Sequence, residues 1–212
     1  MVGNAMKIQA IALAVLISAA SQAQVLLFDD FESPSVSPEP PGLVLYSTGE
    51  SFGGWTVTSG NVELINPQFE PSMGQIVDLV GFSPGQISRS LLTDAGMRYE
   101  VSFQFRGSTG DSFDESRVSW GGSDYTWRTR NIGITTVSLV VTGTGADTLS
   151  FAGLSSFAHM INDVRVAQVS GDTPLTPVGE FFTNVPEPHE YAMVAAVGLL
   201  GFAAYRRRHA TA

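Results

Sequence analysis

The chain contains no cysteine. That absence excludes disulfides, thiolate metal sites and a cysteine nucleophile at once, so stability has to come from packing. Lysine is almost missing too. Lys7 is the sole lysine, and residues 24–184 hold seven arginines against 18 acids. A surface of that sign repels nucleic-acid phosphates and suits a solvated exported protein that tolerates cations. Histidine is also scarce, with His159 alone between the two chain ends. One histidine does not make a catalytic zinc site, and a triad would lack a credible nucleophile beside it. Outside the ends no segment carries a convincing 3.6-residue apolar period, so the body of the chain has no helical signal.

Long uncharged runs are present, and both lie at the ends. Lys7 precedes the apolar stretch Ile8–Ala20, and Ser21-Gln22-Ala23 supplies a small-x-small exit. Residues 1–23 therefore read as a secretory signal peptide, with an apolar helical middle and a signal-peptidase cut after Ala23. Either Met1 or Met6 can start it, Met6 giving the more usual charged beginning. At the far end stand Val185-Pro186-Glu187-Pro188, then the 15-residue run Tyr191–Tyr205, then Arg206-Arg207-Arg208. The prolines keep the first part extended. The run makes a transmembrane helix of about 22 Å, short against the roughly 20 apolar residues a permanent span takes. The arginines mark its cytoplasmic side.

Pro-Glu-Pro, a short apolar helix and terminal arginines in that order resemble the PEP-CTERM sorting signal over Val185–His209. The resemblance implies processing by an exosortase near the motif. It also implies transient anchoring in the inner membrane, followed by delivery to the cell surface or the extracellular space.

Between these ends, 24–169 reads as one domain and 170–184, with Pro174, Pro177 and Gly179, as a linker to the 185–209 signal. Met97–Arg106 is the clearest strand, because Tyr99, Val101, Phe103 and Phe105 alternate with polar residues. Leu26–Glu32, Gly53–Thr58, Asn61–Ile65, Gln75–Leu79, Gln86–Leu91, Ser116–Trp120, Tyr125–Arg128, Ile132–Thr142, Thr148–Ala152 and Met160–Gln168 read as further strands. Gly53–Thr58 and Asn61–Ile65 stand as neighbours around a Ser-Gly turn, and 33–41, with four prolines, is loop. Many short strands broken by Gly, Ser, Asp and Pro turns predict an all-β antiparallel sandwich or barrel.

Phe28-Asp29-Asp30-Phe31-Glu32, Gly54-Trp55-Thr56-Val57, Val62-Glu63-Leu64-Ile65, Val77-Asp78-Leu79, Pro84-Gly85-Gln86-Ile87-Ser88, Tyr99-Glu100-Val101-Ser102-Phe103 and Ile161-Asn162-Asp163-Val164-Arg165-Val166 follow in that order. The set resembles the choice-of-anchor C domains of bacterial surface proteins and the related plant cell-wall family of unknown function. It implies a galactose-binding-like jelly roll of the carbohydrate-binding-module type over roughly 27–169. The stretch between Phe105 and Trp127 departs from that pattern. In such modules an acid near the first strand and one in the last commonly share a structural calcium. Glu32 and Asp163 match those places, and a few carboxylates with carbonyl oxygens satisfy calcium.

Three other constellations need weighing. Gly81-Phe82-Ser83-Pro84-Gly85 matches the G-x-S-x-G hydrolase pattern, but Pro84 has no N–H to give an oxyanion hole, and a strand follows it. It reads as a turn. Trp120, Tyr125 and Trp127, around Gly121-Gly122, form an expected sugar-stacking platform flanked by Arg128, whereas Trp55 reads as core. Asp111, Asp114 and Glu115 form an acidic loop with no partner at glycosidase separation.

The expectation is therefore a non-catalytic, exosortase-processed surface or matrix protein that associates with polysaccharide. A carbohydrate-active enzyme using Asp114 or Glu115, and a purely structural surface protein, are the alternatives.

Overall fold

The computed structural model describes residues 24–68, 71–107, 114–129, 133–156, 158–169 and 181–182, with backbone alone at 114, 128–129 and 181–182. The expected secretory signal at 1–23, the expected 185–209 sorting signal and most of the expected linker lie outside these residues. Among the described residues no helix is long and apolar enough to cross a membrane.

The architecture is an all-β antiparallel jelly-roll sandwich of two seven-stranded sheets. The first sheet holds β1 (Val25–Asp29), β2 (Leu43–Ser47), β5 (Asn61–Ile65), β6 (Ile76–Asp78), β8 (Arg98–Gly107), β11 (Thr135–Thr142) and β13 (His159–Val169). The second holds β3 (Ser51–Phe52), β4 (Trp55–Ser59), β7 (Gln86–Leu92), β9 (Asp114–Trp120), β10 (Ser123–Thr129), β12 (Ala146–Gly153) and β14 (Phe181–Phe182). β14 pairs with β10, so the expected linker contributes two residues to the second sheet.

Period-two alternation builds the core. Tyr99, Val101, Phe103 and Phe105 of β8 are buried between the sheets, and their neighbours Glu100, Ser102 and Gln104 are half-buried on the other side. Trp55 and Phe151 of the second sheet meet them, with Trp55–Phe151 ring centres at 5.8 Å and Phe103–Phe151 edge-on at 4.9 Å.

Two details differ from the pattern in the sequence. The Ser-Gly turn after β4 does not close a hairpin, because β4 pairs with β3 and β7 while β5 pairs with β2 and β6. Gly60 instead carries the chain from one sheet to the other at φ +58°, where an added Cβ would lie 2.0 Å from the Pro84 carbonyl oxygen. β2 is the second difference. It follows the proline-rich loop, and its own residues Leu43, Val44 and Leu45 give no clean alternation.

β13 is the seam of the first sheet. It pairs with β8 along its length, with β6 through Met160 and Ile161, and with β1 from Val164 to Ala167. A bulge between Asn162 and Arg165, with Asp163 at φ +49°, marks the change of partner.

Candidate functional site

The outer face of the second sheet is a field of hydroxyls. In β4 Trp55 and Val57 turn inward and Thr56 and Thr58 outward. In β7 Ile87 and Leu91 are buried, leaving Ser88 and Ser90 on the outer side. In β12 Leu149 and Phe151 are buried, and Thr148 and Ser150 take the opposite face. Ser88 lies opposite both Thr56 and Ser150, and Ser90 opposite Thr148. Register thus lines the hydroxyls up across three strands. The Ser88 hydroxyl bonds Thr58 Oγ1 at 3.3 Å and Ser150 Oγ at 2.8 Å. These strands floor an open groove of about 550 Å³ lined by Gly54, Thr56, Thr58, Ser88, Arg89, Ser90 and Thr148.

The groove wall is fixed from beneath. Arg89 Nη1 donates to Asp29 Oδ2 at 2.8 Å and to the Gly53 carbonyl at 2.9 Å, and its guanidinium lies 5.9 Å from the Trp55 ring centre. Trp55 Nε1 donates to the same Asp29 oxygen at 2.9 Å. Gly54, at φ +85°, lets the backbone pass this cluster, since a Cβ there would come within 3.1 Å of Arg89 Cζ. On the far side Arg117 pairs with Asp124 at 3.4 Å and donates to Gln86 Oε1 at 3.3 Å.

The aromatic platform expected around Gly121-Gly122 is not on the surface. Trp120 and Trp127 are 3% and 2% exposed. Trp120 packs on Tyr99 and donates to the Thr142 carbonyl at 3.0 Å, and Trp127 lies against Phe103 and Phe105. Tyr125 is half-buried against the same core. The reason is the turn itself. Gly121 and Gly122 both have positive φ, giving a two-residue connection that keeps strict pairing of Trp120 with Ser123 and of Tyr125 with Val118. Every second residue of this hairpin therefore faces inward. Arg128 lies in β10 opposite Glu115. The most exposed aromatic ring among the described residues is instead Phe82, at 85%, in the Gly81–Gly85 segment. That segment is a turn, closed by the Val80–Pro84 bridge and by Gly85 N–H to the Leu79 carbonyl at 2.8 Å.

His159 is fully buried between the sheets. Its Nδ1 bonds the Ser116 hydroxyl of β9, and its Nε2 bonds Ser155 Oγ at 2.7 Å. Burial pushes its pKa down to about 4, so it is neutral at ordinary pH.

Glu32 and Asp163 come to one corner, where the loop after β1 meets the β13 bulge. Glu32 Oε1 accepts the Gln75 N–H at 2.8 Å. It lies 2.8 Å from the Cβ position of Gly74, and Asn162 Nδ2 lies 3.6 Å from that same point. Asp163 Oδ2 accepts from Gln104 Nε2 at 2.6 Å. Burial, and then the charge of Asp30, raise the Asp163 pKa. Asn162 is 3% exposed, and its Oδ1 has no hydrogen-bond partner. Glu32, Asp163 and that orphan amide oxygen are hard donors of the kind calcium takes. No group of three or more His, Cys, Asp or Glu among the described residues could hold a metal, so a cation here would lean on Asn162 Oδ1 and backbone carbonyls.

No family model matches the chain, and no curated protein matches it. Among solved structures it is similar to a CBM22-1 xylan-binding domain from Paenibacillus barcinonensis, with 13% identity and a TM-score of 0.47 over 72% of this chain and 99% of that one. A family 35 carbohydrate-binding module from Clostridium thermocellum gives 9% identity and a TM-score of 0.42, over 69% and 98%. The CBM36-1 domain of a multidomain xylanase from the Trinervitermes trinervoides hindgut metagenome gives 14% and 0.41, over 60% and 97%.

Proposed function

We propose that the chain is an exported, non-catalytic surface or extracellular-matrix protein whose sandwich associates with polysaccharide through the outer face of the second sheet. The observation that carries this reading is the groove over Thr56, Thr58, Ser88, Ser90 and Thr148. A hydroxyl both donates and accepts, as a sugar hydroxyl does, so a register-aligned field of them complements a glycan chain. Signal peptidase and an exosortase act on the two ends in this reading, and the inner membrane holds the chain only in transit. Glu32 and Asp163, with Asn162 Oδ1, would hold a structural calcium that ties the first loop to the last strand.

Retention of the full chain on immobilised polysaccharides tests the reading. The wild type is expected to be held, and a Thr58→Val, Ser88→Val variant of unchanged thermal stability is expected to pass through. Equal retention of both removes this face from the function.

A further inference from the structure

We infer that the hydroxyl face selects uncharged polysaccharide and discriminates against uronate and sulfate chains. The inference rests on the polysaccharide reading above and names the ligand class for that same site.

The first argument is hydrogen-bond polarity. A hydroxyl has one donor and two acceptor positions. Ser88 sits between Thr58 and Ser150, and the two bonds among these three hydroxyls use two of their three protons and two of their six acceptor positions. Thr58 Oγ1 donates the third proton to the Gln86 carbonyl at 3.4 Å. The protons of this trio are thus spent among its own oxygens and the backbone, and its remaining lone pairs are acceptors. A carboxylate or sulfate is an acceptor only and finds few donors on this trio, whereas a neutral sugar hydroxyl can donate to it.

The second argument is charge. Among the described residues the groove's one cation is Arg89, which is paired with Asp29 at 2.8 Å and donates a further N–H to the Gly53 carbonyl. Arg117, beyond β12, is paired with Asp124. Each guanidinium thus already has a carboxylate counter-charge before any ligand arrives. The whole chain carries a formal charge of −9, so an anionic polymer meets repulsion during approach and no compensating cation on arrival. The floor of the groove carries no carboxylate either, which removes cationic polymers as its natural partner.

Affinity electrophoresis of the full chain in mild detergent, through gels holding a neutral glucan, a xylan, a polyuronate or a sulfated galactan, tests this. Retardation by at least one neutral chain is expected. It should stay within about twofold between roughly 0.01 M and 1 M salt, over which the screening length falls from about 30 Å to about 3 Å. Thr148→Lys, at the exposed rim of the groove, should add retardation by the polyuronate that high salt abolishes. Strong retardation of the wild type by anionic chains alone overturns the inference and leaves polysaccharide association standing. No retardation in any gel, for a chain whose melting curve shows it folded, overturns both.

Discussion

The two sheets obey the same alternation and yet present opposite outer surfaces. Behind the first sheet, Ile65 and Ile76 turn away from the main core, and Met73, Leu43 and Met160 gather on them as a small second core. Behind the second sheet the corresponding positions are hydroxyls, and the groove above them is open. The difference lies in the connections. The segment between β5 and β6 supplies Met73 to the first sheet, and Gln75 holds that segment to the loop after β1. Its Nε2 donates to the Phe31 and Pro34 carbonyls and its Oε1 accepts from Val36 N–H at 2.8 Å. One face is covered by a pinned loop, and the other is left for a ligand.

The largest effect should come from unpinning the covered face. Gln75 is 1% exposed. Gln75→Ala strands two carbonyls and one N–H, a cost of about 2–4 kcal/mol in urea unfolding. A loss below about 0.5 kcal/mol would show that the loop needs no such pin.

Next is the tie between the sheets. The His159 pKa lies below its unfolded value of 6.5. The unfolded chain therefore binds the proton first. Stability should be unaffected by His159 above pH 6.5 and should fall as pH drops from there to about 4. A depression of that size is worth on the order of 3 kcal/mol. His159→Gln should flatten the curve over that window while lowering its plateau. An unchanged slope in the variant would assign the acid sensitivity to other groups.

The smallest effect concerns the corner at the β13 bulge. A raised Asp163 pKa means that its charge opposes folding at neutral pH and that this penalty fades as pH falls through the raised value. Asp163→Asn keeps an acceptor for Gln104 and a residue tolerant of positive φ. In a chelator the variant should melt at or slightly above the wild type. In excess calcium the order should reverse, because the wild type alone gains a full ligand. Identical melting of the wild type with calcium and with chelator would remove the ion.

Much of this fold was legible. The alternation in Met97–Arg106 and that of Val137, Leu139 and Val141 within Ile132–Thr142 announced buried faces, and Trp55 beside Val57 read as core; all three faces are buried. What the sequence could not place was the direction of a tight turn. Trp120, Tyr125 and Trp127 looked like an exposed cluster because glycines flank them, but the Gly121-Gly122 connection keeps the register and buries the rings. Sheet membership was equally hidden, since Ser59-Gly60 crosses between layers without closing a hairpin. The hydroxyl face left a signal that passed for ordinary wet-face polarity, namely Thr56-x-Thr58, Ser88-x-Ser90 and Thr148-x-Ser150. Only strand pairing places these three pairs side by side.

The most direct test of the contrast between the faces is NMR titration of the chain with a neutral oligosaccharide cut from a polysaccharide that retains it. Shift changes should concentrate on Thr56, Thr58, Ser88, Ser90 and Thr148, leaving Ile65, Met73 and Ile76 unmoved. Changes centred on the covered face or on the Glu32–Asp163 corner, with the hydroxyl strip silent, would contradict the account.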